Sequence, residues 1–210
     1  MVPVTGKTDA ARAALKSLAG VWRVPVTDDQ TGRLLQFAEL LLQWNERINL
    51  TGAGSVEALV DEHLPDSFAV ASVLGEPASV VDVGSGGGLP AIPLAILRPA
   101  LGIRLVEPLA KKVAFLRTAV RELDLAGRVS VDQRRIERGV ATPGGAVDVA
   151  LSRATFPPAE WLAVGRKLVR PGGLVLVLTV PDSDLAGRRL VYQAGRRVLI
   201  QIDQPDECSR

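Results

Sequence analysis

The run Asp82-Val83-Gly84-Ser85-Gly86-Gly87-Gly88 carries four glycines within five residues, directly behind a short apolar stretch. Glycine lacks a Cβ, so the backbone of such a turn can pass close under a ligand. The phosphate-loop pattern G-x4-G-K-[ST] has no match in the chain. The dinucleotide pattern G-x-G-x-x-G, counted from Gly84, requires glycine at position 89, where Leu89 stands. Nor does that pattern place an acid two residues ahead of its first glycine, as Asp82 is here. An acid at that point can order the turn or help neutralise a cationic ligand end. Glu107 closes the apolar run IRLVE, 25 residues beyond Asp82. From such an offset a carboxylate can accept both hydroxyls of a ribose.

The pattern D-x-G-x-G-x-G resembles motif I of the class I S-adenosylmethionine (SAM) methyltransferases. SAM presents an ammonium, a carboxylate and a sulfonium but no pyrophosphate, which suits an acid beside a glycine turn. The turn Asp132-Gln133-Arg134-Arg135-Ile136-Glu137 follows a third apolar run. In that architecture it contacts adenine; the plainer alternative is an exposed charged turn. From about residue 37 to 180 the chain resembles one family in particular, the small-subunit ribosomal RNA guanine-N7 methyltransferases known as RsmG or GidB. Trp44-Asn45-Glu46-Arg47-Ile48-Asn49-Leu50-Thr51 is similar to its N-x3-N-L-T, and Glu62-His63-Leu64-Pro65-Asp66-Ser67 to its R-H-x-x-D-S. The stretches DVGSGGGLPAIPLA, EPLAKKVAFL from Glu107 and DVALSRA from Asp148 are similar to three further motifs, in the family's order.

This resemblance implies that SAM is held by Asp82, Gly84, Ser85, Gly86, Gly88, Leu89, Glu107, Pro108 and the Arg135-Ile136-Glu137 turn. It places Ser152 and Arg153 at the reacting end, with Arg153 also beside the cofactor, and Asn45, Asn49, His63 and Phe156 toward the substrate. The implied partner is 16S rRNA or the small ribosomal subunit. Amino-group methylation usually uses an [ND]-P-P-[YF] tetrapeptide after the fourth strand, where this chain reads Ser152-Arg153-Ala154-Thr155-Phe156-Pro157. Guanine N7 offers a lone pair and has no proton to lose, so alignment suffices and no general base is needed. Arg153 can hold O6 or a phosphate with its fixed fork of donors. The structural alternatives are an Arg153 pair with Asp148 or Glu160, a satisfied core His63, and asparagines that only order a turn. Three departures weaken the substrate half. The family's lysine after the fifth strand is replaced in Leu178-Thr179-Val180, Glu62 stands for an arginine, and aromatics total only 4%. They motivate a second reading, methylation of a heteroaromatic nitrogen or oxygen of a small molecule. A third is a non-catalytic SAM-sensing or RNA-binding module.

The elements that must position these residues fall into two groups. Thr27 and Gln30 form a capping-box pattern ahead of a helix at about 28–48, and 56–74 predicts a second helix with Pro65 as a break. From Ser79 onward, apolar runs at 79–84, 103–107, 128–133, 148–153 and 174–180 alternate with helical stretches. RRLVYQ and RRVLIQID add a final strand pair around Ala194-Gly195. The expected fold class is α/β: a doubly wound, mainly parallel seven-stranded sheet under an N-terminal helical cap. One domain is expected over 1–210, with the cap at 1–76 and the cofactor-binding core at 77–210.

Composition narrows the remaining classes. The chain has one histidine, His63, and one cysteine, Cys208, which argues against a metal site and a disulfide framework. No apolar run approaches the roughly 20 residues of a membrane span, and no secretory leader is evident, so a cytoplasmic protein is expected. Residues 27–83 hold ten acids against Arg33 and Arg47, whereas 84–200 hold eighteen basic residues against nine acids. That asymmetry suits a polyanionic partner on the second part.

Overall fold

Thr27 closes the capping box that its sequence predicts. Gln30 N–H donates to Thr27 Oγ1 at 3.1 Å and Thr27 N–H to Gln30 Oε1 at 2.9 Å, starting helix α2 (Asp28–Asn45). The Gln30 amide also donates to Ile96 O at 2.8 Å, so one residue caps α2 and ties it to the end of another helix. The computed structural model describes residues 5–75, 79–136, 146–153, 155–193 and 196–203. In chain order the cap is α1 (Thr5–Trp22), α2, α3 (Val56–Glu62) and α4 (Leu64–Val73). The sheet region follows as β1 (Ser79–Val83), α5 (Ala91–Leu97), β2 (Gly102–Val106), α6 (Ala110–Glu122) and β3 (Val129–Asp132). It continues with β4 (Val147–Arg153), α7 (Pro158–Gly165), β5 (Val169–Thr179), β6 (Arg188–Tyr192) and β7 (Arg197–Asp203).

The strand order is β3-β2-β1-β4-β5-β7-β6, with β7 antiparallel to both of its neighbours and the other pairings parallel. Order reverses between β1 and β4, and a crevice opens at the carboxyl ends of strands at such a switch point. Both faces are covered, as the apolar strands require. Val80, Leu105, Val149, Leu151, Leu176 and Leu199 face the cap, α5 and α6, while Val81, Val83, Val106, Val175 and Val177 face α7. The period of two within β1 and β5 sorts side chains onto two cores. The Trp161 indole on α7 is buried there and donates to Leu176 O at 2.8 Å.

Four boundaries differ from the sequence reading. Helix α2 stops at Asn45 instead of 48, because the Asn45 side chain takes over the backbone groups beyond it. The expected helix over 56–74 is two helices that break at His63, with Pro65 in the first turn of α4, where a missing N–H costs nothing. Of the helical stretch LPAIPLAILR that follows the glycine turn, the helix itself begins only at Ala91. Strand β5 starts at Val169 and not at 174. Its Pro171-Gly172-Gly173 lead-in pairs irregularly with β4, and a Cβ on Gly173 would lie 2.9 Å from Asp148 O. The Ala194-Gly195 turn and Cys208 lie outside the described residues. No described helix is long and apolar enough to cross a membrane.

Candidate functional site

Residues at the switch point are drawn together by backbone hydrogen bonds. Gly84 and Ser85 both donate to Val106 O, at 2.8 and 3.1 Å, which folds the glycine turn over the end of β2. Glu107 then takes Gly86 N–H on Oε2 at 3.0 Å and Leu109 N–H on Oε1 at 2.9 Å. Each carboxylate oxygen keeps a second lone pair for a ligand hydroxyl. Gly84, Gly86 and Gly88 have φ of +76°, +52° and +75°, a region that disfavours side chains. A Cβ on Gly88 would sit 2.5 Å from Ile92 Cδ1, whereas one on Gly86 would make only ordinary contacts, with Gly84 O at 3.7 Å and Lys112 Nζ at 3.9 Å. Ser85 is buried and donates to Asp82 O at 2.9 Å; Leu89 is buried behind the turn and Pro108 partly so.

Asp82 is 1% exposed, and its Oδ2 has no hydrogen-bond partner. Burial raises its pKa to about 7, against lowering by the Ser85 hydrogen bond and Arg153. A buried carboxylate oxygen without a donor is costly, and a cationic ligand group would satisfy it. The residues therefore fit an ammonium-bearing cofactor at the turn.

The cap reaches the glycine turn at two points and the end of β4 at a third. Asn45 Oδ1 accepts from Leu50 N–H at 2.8 Å and Thr51 N–H at 3.0 Å, and its amide donates to Thr51 O at 3.0 Å. The loop so formed presses on Gly87, where a Cβ would lie 2.9 Å from Leu50 O. Sequence reasoning passed over Gly87; the unbroken third glycine in Ser85-Gly86-Gly87-Gly88 was its signal. Ser67 Oγ donates to Pro90 O at 3.0 Å. Asp66, buried to 1% exposure, accepts from Arg153 Nη1 at 3.1 Å on Oδ2 and from the Tyr192 hydroxyl on Oδ1.

Arg153 thus pairs with Asp66 and not with Asp148 or Glu160. Asp148 is taken by Ser79, whose N–H and hydroxyl both donate at 2.7 Å, and by Arg170 at 2.6 Å, and its pKa falls to about 2, mainly through the Ser79 bonds. Arg153 Nη1 also donates to His63 Nδ1 at 3.2 Å, which leaves the ring proton on Nε2 facing Thr51 Oγ1 at 3.2 Å. Burial, then the Arg153 charge, lowers the His63 pKa, so the imidazole is neutral at pH 7. Ser152 is buried and its hydroxyl is committed to Val83 O at 2.8 Å, so it joins β4 to β1 instead of serving as an acid or base.

Beyond Arg153 lies a cavity of about 130 Å³ lined by Ser152, Phe156, Trp161, Thr179 and Arg197, among others. Phe156 stacks on Trp161 with centroids 6.0 Å apart. Arg197 lines it from the final hairpin, whose Tyr192 reaches Asp66 instead. No motif marked them, because strand pairing alone places them. Asn49 is exposed and lies away from this cavity, beside Arg47 and Lys111. Arg135 is exposed, Ile136 packs on the α7-side core, and Glu137 lies outside the described residues.

A doubly wound seven-stranded sheet, with a glycine turn and two buried acids at its switch point, defines a Rossmann-like methyltransferase. Residues 30–190 match the GidB family, rRNA small subunit methyltransferase G, and the chain belongs to that family. It is similar to the ribosomal RNA small subunit methyltransferase G of Anaeromyxobacter sp. (strain Fw109-5), with 33% identity over 93% of this chain and 90% of the relative. To the protein of the same name from Xanthomonas axonopodis pv. citri it is 42% identical, over 80% of this chain and 79% of that one. The solved RNA methyltransferase of Salinibacter ruber, in complex with S-adenosyl-L-homocysteine, shares the fold. Its TM-score is 0.53 and its identity 19%, over 67% of this chain and 89% of that one.

Proposed function

We propose that the protein transfers the methyl group of SAM to N7 of a guanine in small-subunit rRNA. The observation that carries the choice of acceptor is the cavity beyond Arg153. Its lining, among the described residues, holds no carboxylate, imidazole or thiol, and its one serine has its proton committed to Val83 O. The neutral His63 is held between Arg153 and Thr51 and has no lone pair to spare. Such a site suits an acceptor that reacts through a lone pair without losing a proton, as guanine N7 does.

Asp82 holds the ammonium end of the cofactor, Glu107 the ribose hydroxyls, and Gly84, Gly86 and Gly88 give the backbone path beneath them. Ser85, Leu89, Pro108, Arg135 and Ile136 complete the wall. When bound, SAM supplies a methyl group on a sulfonium, ready for displacement by a nucleophile. Arg153 keeps donors free beyond the Nη1 used by Asp66 and His63, and these orient the base through O6 or a phosphate. Phe156, backed by Trp161, offers the base an apolar face. Asn45 positions the cap loop, and the cap and sheet work as one unit, which the shared core from α1 to β7 supports.

Purified protein with methyl-labelled SAM, given small subunits from a strain without its own N7 enzyme, places label on one guanine N7. Arg153→Ala abolishes transfer and keeps SAM binding. Label appearing only in a small-molecule extract overturns the substrate; SAM binding without any transfer overturns the reaction.

A further inference from the structure

We propose that the furrow between the end of α2 and the start of α6 is a track for the phosphate backbone of the RNA substrate. A cavity of about 590 Å³ is lined by Arg47, Ile48, Asn49, Leu109, Lys111 and Lys112. A second of about 550 Å³ shares Arg47, Ile48 and Lys111 with it and runs on past Trp44, so the two form one furrow. Its cations are unspent. Among the described residues none of Arg47, Lys111 and Lys112 has an ion-pair partner, and Glu46 is the one acid in the lining.

The charge asymmetry of the chain sharpens the point. Segment 27–83 has two basic residues only. Arg33 is used internally, donating to Leu123 O and Asp124 O to dock the cap on the end of α6. Arg47 is left to face the furrow, opposite the two lysines of the basic half. One end of the furrow opens at the glycine turn, where Lys112 Nζ lies 3.9 Å from the point a Cβ on Gly86 would occupy. Leu109, 52% exposed, and Ile48 give it an apolar floor that suits sugars better than a small free anion. A chain of phosphates lying here passes the mouth of the cofactor site, so a base can enter while its flanking backbone is held.

The inference rests on RNA being the substrate, and RNA binding is therefore measured apart from transfer. Binding of labelled small-subunit rRNA is followed by anisotropy from 50 to 300 mM salt, for wild type and for Arg47→Gln/Lys111→Gln. Each lost phosphate contact flattens the plot of log K against log salt by about 0.7 to 0.9, so the double variant is expected to lose about 1.5. Its KM for RNA rises about tenfold, while SAM affinity, melting temperature and kcat at saturating RNA stay near wild type. Arg47→Lys, which keeps the charge, retains the slope. Arg166→Gln/Lys167→Gln, beyond the end of α7, leaves it unchanged. An unchanged slope in the folded furrow variant overturns the track, as does an equal loss in the α7 control. Loss seen with assembled subunits but not with free rRNA also overturns it, and points to a protein contact. Wild type that binds rRNA with this slope yet labels only a small molecule refutes the proposed reaction and leaves the furrow as an RNA-binding surface.

Discussion

Asp82 should make cofactor binding depend on pH below neutrality. Its carboxyl is 1% exposed with Oδ2 unpartnered, and burial lifts its pKa from 3.8 to about 7. A ligand ammonium prefers the ionised form, so binding expels the proton. With a pKa near 7 the ionised fraction is about 1% at pH 5 and about half at pH 7, which tightens binding roughly fiftyfold across that interval. Calorimetry with S-adenosyl-L-homocysteine, in two buffers of different ionisation enthalpy, reads the affinity and the proton count together. About one proton should leave per ligand at pH 5, and almost none at pH 8. In Asp82→Asn both dependences vanish. The same shift acts on the ligand-free fold with a definite sign. The folded state binds the proton more tightly than the unfolded chain, so this contribution to stability is present below about pH 4 and is lost as pH rises to about 7. It amounts to roughly 4 kcal/mol at most. A flat affinity profile in wild type, or a slope that survives Asp82→Asn, refutes the reasoning.

Three further outcomes test the scaffold. Asp66→Asn leaves the Arg153 guanidinium without its carboxylate, at a site where Asp66 is 1% exposed and Arg153 19%. Breaking such a pair should cost about 3 kcal/mol, read by urea unfolding, with transfer lost and SAM binding kept. Gly88→Ala combines a φ of +75° with a Cβ 2.5 Å from Ile92 Cδ1 and should cost about 2 to 4 kcal/mol. Gly75→Ala, with nothing within 4 Å and no positive φ, should be neutral or slightly stabilising.

The glycine turn and its flanking acids were legible because their arrangement is local. Asp82, the glycine turn and Glu107 lie at the ends of adjacent parallel strands, and the alternation of strand and helix already orders those strands. The cap motifs were legible as patterns but not as contacts. Nothing in N-x3-N-L-T says that its loop rests on Gly87, nor does R-H-x-x-D-S say that Asp66 will grip Arg153, 87 residues away. Asp148, one of the two structural partners considered for Arg153, lies on the same strand. Residues five apart in an extended strand stand at opposite ends of it, however, and Asp148 meets the start of β1 instead. Tyr192 and Arg197 were silent because their places depend on β7 running antiparallel beside both β5 and β6.

That last pairing changes the weight of the departures on the substrate side. The lysine absent at Thr179 reads, in sequence, as a lost cation and an argument for a small-molecule acceptor. In the fold, β5 carries Thr179 opposite Val198 of β7, and Arg197, one residue before Val198, lines the same cavity as Thr179, Ser152 and Phe156. A positive group therefore remains at the cavity proposed as the reacting end, delivered from a neighbouring strand. Its guanidinium is a broader and more weakly hydrated donor than an ammonium, able to meet O6 or a phosphate through two nitrogens. On the proposed reading, Arg153 and Arg197 together supply the positive charge at that end of the site, and the missing lysine ceases to argue against a nucleic-acid substrate.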